Sequence, residues 1–137
     1  MILYAVAKLV AYSAWCYVGL WWVRREAATA STAFRLGALR WMIGLGFGVV
    51  IFFFVGSIDP DAAARIYFGV YTPVRVIEWG IVAWLIARPL DRGSNSWRTA
   101  TRRLPLWVVA GILVSFLTDL LSPEGIEGRF CVGRCLC

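Results

Sequence analysis

The sequence predicts an all-α membrane protein with four spans packed as a bundle. Three observations lead there. The chain of 137 residues is 61% hydrophobic and 15% aromatic, too apolar for a single water-soluble domain. Four windows, 2–23, 41–58, 66–87 and 104–121, each hold the roughly 18 or more mostly apolar residues that a bilayer crossing needs. The segments between them are short and rich in arginine. The expected division is a transmembrane domain over 1–122, with helices at about 2–23, 36–58, 60–88 and 104–122, and a short tail over 123–137.

The first helix reads as a retained span. Lys8 interrupts its apolar core and Arg24-Arg25 follow it, whereas a cleaved signal carries its positive charge first. Tyr4, Lys8, Tyr12 and Trp15 recur at helical spacing and share one face. Lys8 has two readings. Its stem can snorkel to the near surface, or its ammonium can meet a carboxylate on another helix. Cys16 reads as a small core residue.

A polar segment through Arg35 separates the first two helices. The second is expected to start near Leu36 and cross from Trp41 to Ile58. Gly44 and Gly48 form a GxxxG, with Gly37 on nearly the same face, and such glycines let helix backbones approach closely in lipid. The seam fits a contact within the chain as well as one between copies.

Asp59-Pro60 reads as a cap and first turn, which starts the third helix near Pro60. Within that helix lies the central stretch, Thr72-Pro73-Val74-Arg75-Val76-Ile77-Glu78-Trp79. Pro73 removes one helical hydrogen bond there and should kink the helix or free a carbonyl. The segment from Arg88 to Arg103 reads as loop, with Pro105 in the first turn of the fourth helix. Gly111, Ser115 and Thr118 then share a small, polar face beside Asp119.

Basic residues set the orientation. The two loops on one side, together with the entry to the second helix, carry Arg24, Arg25, Arg35, Arg40, Arg88, Arg92, Arg98, Arg102 and Arg103. The other side has Arg65, Arg129 and Arg134 with four acidic residues. Arginine-rich loops stay in the cytoplasm, so both termini are expected outside it, in an inner or plasma membrane of bacterial type. The net charge of +6 fits contacts with anionic lipid headgroups at the cytoplasmic face, and no nucleic-acid partner is expected.

The candidate site is an intramembrane polar cluster of Lys8, Tyr12, Tyr71, Arg75, Glu78 and Asp119. A charge at a helix centre in lipid costs about 2.5–3.5 kcal/mol on insertion scales, so these groups should face inward and be paired. Arg75 and Glu78, three residues apart, can touch on one helix. Gly44, Gly48, Gly111 and Ser115 are expected to pack helices. With no histidine in the chain, it supplies no histidine-ligated haem or metal and no Ser-His or Cys-His catalytic pair. No metal or cofactor is expected. Cys131, Cys135 and Cys137 lack the CxxC spacing of a redox pair, and three thiols leave one to stay free or bridge to another chain.

Three functional readings follow. First is a non-catalytic subunit or assembly protein, working as a homo-oligomer or in a larger membrane complex. Second is a small oligomeric transporter or channel with Arg75 and Glu78 in its pathway and Glu78 as the ion- or proton-binding group. Third is a membrane enzyme or carrier acting on a lipid or quinone.

Overall fold

A computed structural model describes residues 2–55, 60–90 and 94–120. They form four long helices: α1 Ile2–Val23, α2 Ala30–Val55, α3 Pro60–Ala87 and α4 Asn95–Leu120. A single 3₁₀ turn at Arg25–Ala27 joins α1 to α2. All four are long and apolar enough to cross a membrane. The tail cysteines Cys131, Cys135 and Cys137 lie outside the described residues, as does Asp59, the expected cap of α3.

The distribution of side chains is inverted relative to a water-soluble bundle. Arg40, Arg75, Glu78 and Asp119 are buried, while Leu3, Val10, Phe53, Trp84, Leu106 and Leu117 point outward. An apolar outside with charges within suits lipid as the solvent.

α1 and α3 have the extents that the sequence predicts. α2 and α4 start earlier. The hydroxyl oxygen of Thr29 accepts the Thr32 N–H at 3.2 Å and caps α2. Ser94 does the same for Trp97 at 3.1 Å and caps α4. Window averages miss these polar first turns. The span of α2 therefore runs Ala30–Ile51, and Arg40 sits in its middle instead of at its entry. Pro105 lies ten residues into α4, not in its first turn. α3 continues as a helix through Pro73.

α1 runs antiparallel to α4 along its whole length. Tyr4 meets Asp119, Trp15 meets Trp107, and Arg103 donates to the Trp22 carbonyl at 3.0 Å. That last bond satisfies a free carbonyl at the end of α1 and sets a cation on the negative end of its dipole. The start of α1 and the end of α4 consequently share one end of the bundle.

The half away from those ends is a packed aromatic layer. Trp15 and Trp107 stack at 6.3 Å with planes 4° apart. Each indole donates to the other's backbone carbonyl, at 3.2 and 3.0 Å. Trp79 meets Trp107 edge-on at 5.1 Å and Tyr12 at 5.8 Å. Cys16, Leu20, Val82 and Ile86 complete the layer, none more than 1% exposed.

Glycines permit these approaches. A Cβ at Gly19 would lie 2.6 Å from the Trp107 ring, and one at Gly111 would lie 2.9 Å from Trp79. One at Gly37 would meet the Ser13 backbone at 2.7 Å. Backbone cannot swing away as a side-chain tip can. Gly37→Ala is therefore expected to destabilise the bundle by about 1–3 kcal/mol, the usual cost of overpacking. Gly46→Ala, where a Cβ meets nothing within 4 Å, should be neutral or slightly stabilising. Thermal unfolding in detergent, read by tryptophan fluorescence, compares them. Equal midpoints would show that α1 and α2 are not held this closely.

Candidate functional site

Each helix contributes a polar group to one region near the shared ends. Lys8 of α1 lies six residues below Ile2, roughly 9 Å at the helical rise. α2 supplies Arg40, α3 supplies Arg75 and Glu78, and α4 supplies Asp119. On α2 the buried positions Ala33, Gly37, Arg40 and Gly48 recur at helical spacing, so Arg40 faces inward by the same geometry that buries the glycines.

Among the described residues, the short ion pairs run between helices, not along α3. Arg40 Nη2 lies 2.7 Å from Glu78 Oε2 and joins α2 to α3. Asp119 receives Lys8 Nζ at 2.7 Å on one oxygen and Arg75 on the other. The Tyr4 hydroxyl also donates to Asp119, at 3.0 Å. One carboxylate thereby ties α1, α3 and α4 together. The pairing of Arg75 with Glu78 that their spacing suggested gives way to these partners. The reason is tertiary: a facing helix offers each group a charge at shorter range.

Aromatic faces complete the shell. The Arg40 guanidinium lies 4.6 Å from the Tyr12 ring centroid and 5.1 Å from that of Trp79. Arg75 sits 4.5 Å from Phe116 and 5.8 Å from Tyr71. Such contacts gain strength when water is excluded. Ser115 is the junction beneath. Its hydroxyl donates to the Gly111 carbonyl at 3.0 Å. It accepts from Trp79 Nε1 at 2.9 Å and Arg40 Nη2 at 3.2 Å. That uses its one hydrogen and both lone pairs.

These side chains surround a cavity of about 50 Å³. Lys8, Tyr12, Tyr71, Arg75, Glu78 and Asp119 all line it, as do Arg40, Gly44 and Gly48. α2 packs chiefly on α1 and touches α3 lightly, so the cavity lies in the gap between α2 and α3. Gly44 makes room for the ion pair: a Cβ there would lie 3.0 Å from Arg40 and 3.3 Å from Glu78. At Gly48 a Cβ would meet nothing within 4 Å. Within the chain the close helix approaches fall at Gly19, Gly37 and Gly111, and the GxxxG borders the cavity. Gly111 and Ser115 are buried against Trp79.

Arg40 is the functional candidate that sequence reasoning missed. Placing the start of the second span at Trp41 left it at the helix entry, among the interfacial charges. Its position three residues after Gly37 and four before Gly44 was the available signal. Among the described residues, no group of three or more Cys, Asp or Glu side chains could hold a metal ion. No family model, curated protein or solved structure matches the chain.

The pairing has a direct test. Glu78→Gln strands Arg40, which is 2% exposed, and should lower stability by about 3–5 kcal/mol. Adding Arg40→Gln should recover much of that loss, whereas adding Arg75→Gln should not. A double-mutant cycle on detergent unfolding midpoints reads the coupling. Equal coupling of Glu78 to both arginines would overturn the assignment.

Proposed function

We propose that this is a non-catalytic membrane protein that works by binding a small polar ligand in its intramembrane cavity, as a carrier or binding component. One observation carries this reading: both buried carboxylates are neutralised by cations of the same chain, around a space left open. A scaffold whose acidic groups recruit another subunit would leave a carboxylate for the partner. Here Glu78 and Asp119 are already engaged. A cluster serving packing alone would close on itself, as the tryptophan layer does.

The same layer bears on mechanism. Tyr12, Trp79 and Trp107 are buried beneath the cavity and close it toward the loop ends of the bundle. Among the described residues the pocket is thus closed toward the loop ends and does not continue as a channel through the tryptophan layer. Passage across the membrane would need the Trp15–Trp107 layer to open, in this chain or between copies of it. A carrier that alternates between two arrangements fits this better than a pore.

We also infer that the loop ends face the cytoplasm. With Arg40 moved into the core, eight of the nine arginines assigned to that side remain, against three on the other, so the bias holds. The pocket then lies in the extracytoplasmic half. A lone cysteine at Ser96→Cys, with the native cysteines replaced by serine, should react with a membrane-impermeant maleimide only after the membrane is broken. Labelling of intact cells would reverse the orientation.

Native mass spectrometry of the protein extracted in mild detergent tests the function. The expected species is the chain alone or self-associated, retaining a non-protein molecule. A different protein in fixed ratio, with no small molecule retained, would make this an assembly subunit instead.

A further inference from the structure

The cavity is an open recess, not a sealed void. Tyr12, Trp79 and Trp107 are buried beneath it and close it toward the loop ends. Its lining shows where it meets the surface. The half-buried members are Lys8 of α1, Trp41, Gly44 and Leu45 of α2, and Tyr71 of α3. All but Lys8 flank the gap between α2 and α3.

That gap lies at membrane depth. Gly44 is seven residues inside the Ile51 end of the α2 span, roughly 10 Å at the helical rise. The hydrocarbon core is about 30 Å thick, so an opening there meets lipid tails instead of water. Gly44 and Gly48 both border the recess and leave about 6 Å of α2 without a side chain on that face. At Gly48 a Cβ would meet nothing within 4 Å.

The lining and the mouth thus differ in kind. Inside are charged and hydrogen-bonding groups, and outside is lipid. An acyl chain alone offers such a lining no partner, and polar groups left unmet away from water are costly. A ligand suited to both surroundings has two parts. We propose that the recess takes the small polar head of a membrane-dissolved, single-chain amphiphile, which enters sideways between α2 and α3 and leaves its apolar chain in the lipid. The proposal rests on the pocket reading above and gives that ligand its class and its route. The head is small because the space is: at roughly 10–15 Å³ for each water, about 50 Å³ takes a group of a few heavy atoms, such as a hydroxyl or a carboxyl.

The experiment is photolabelling of the whole protein in phosphatidylcholine vesicles. The probes are octadecanol and octadecanoic acid, each with a diazirine in its chain, and labelled sites are located by peptide mass spectrometry. Labelling is expected over residues 44–48 and 71–75, beside the gap. An excess of unlabelled oleyl alcohol, oleic acid or both should remove it. Octadecene, which has the chain and no polar head, should not. Removal by the alcohol alone assigns a neutral head, and removal by the acid alone assigns a carboxylate. Labelling at Leu113 and Leu117, which point outward, should persist under competition. Gly48→Leu fills the recess and should weaken the competed labelling roughly tenfold or more, the scale of one lost contact. Gly46→Leu, on the exposed side of α2, should leave it unchanged.

Labelling beside the gap that no competitor removes would mean surrounding lipid only and would overturn the proposal. Competition by octadecene as strong as that by the alcohol and the acid would do the same. Both results come from the wild type and stand whether or not Gly48→Leu folds. A retained water-soluble molecule without an apolar chain, found by native mass spectrometry, would overturn the amphiphile and leave the pocket in place. A partner protein in fixed ratio, with no small molecule retained, would remove the pocket reading itself.

Discussion

A carboxylate inside a membrane must find its cation within reach, and the rest of this bundle is arranged around that need. Lipid gives helices no hydrophobic reason to associate, because its tails are as apolar as leucine. What holds them is close packing and polar contacts that lipid cannot replace. Glu78 binds α3 to α2 through Arg40, and Asp119 binds α4 to both α1 and α3. Each helix is thus attached to another by an ion pair. Ser115 links the two systems, since it touches Arg40 on one side and Trp79 on the other.

The two halves of the bundle solve the packing problem differently. Near the shared ends the helices stand apart, and charged side chains with aromatic faces bridge the distance. In the other half the helices close on each other at glycines, with the flat rings of Trp79 and Trp107 laid across Gly111 and Gly19. The reciprocal indole-to-carbonyl bonds of Trp15 and Trp107 fix that closure in register. A cavity can persist in the first half because the second supplies rigid contact. α2 belongs to this division: pressed against α1 at Gly37 and Ser13, it remains loose from α3 except at Arg40. The one strong tie across that gap is therefore also a wall of the cavity.

The helix count and the buried cluster were legible because both follow from composition and helical spacing. So were the bounds of α1, where an apolar run begins and ends abruptly, and the start of α3, which Asp59-Pro60 marks. The starts of α2 and α4 were not legible from hydropathy, because their first turns are polar and their caps, Thr29 and Ser94, are single residues. That error displaced Arg40 from the middle of the span to the helix entry. The choice of partner for Glu78 was unreadable for another reason. Arg75 at three residues' distance satisfies every local rule, and only the placement of α2 puts Arg40 closer. Local sequence can say that a buried charge must be paired; the packing of four helices decides with which.

The single lysine among fourteen basic residues gains a physical sense from this arrangement. Arg40 is held by Glu78, by Ser115 and by the faces of Tyr12 and Trp79. A planar fork held so firmly fixes geometry but cannot adjust to changes in its surroundings. Lys8 is a compact ammonium on a flexible stem, nearest the end of the bundle and the most accessible of the three cavity cations. Its contacts, Asp119 at 2.7 Å and the Tyr4 ring at 4.9 Å, restrain it from one side of the chain only, along α1 and α4. Lys8 can therefore shift without dismantling the Arg40–Glu78 pair that ties α2 to α3. Arginine thus ties α2 to α3 beside the cavity, and the lysine holds the more exposed end of the cluster.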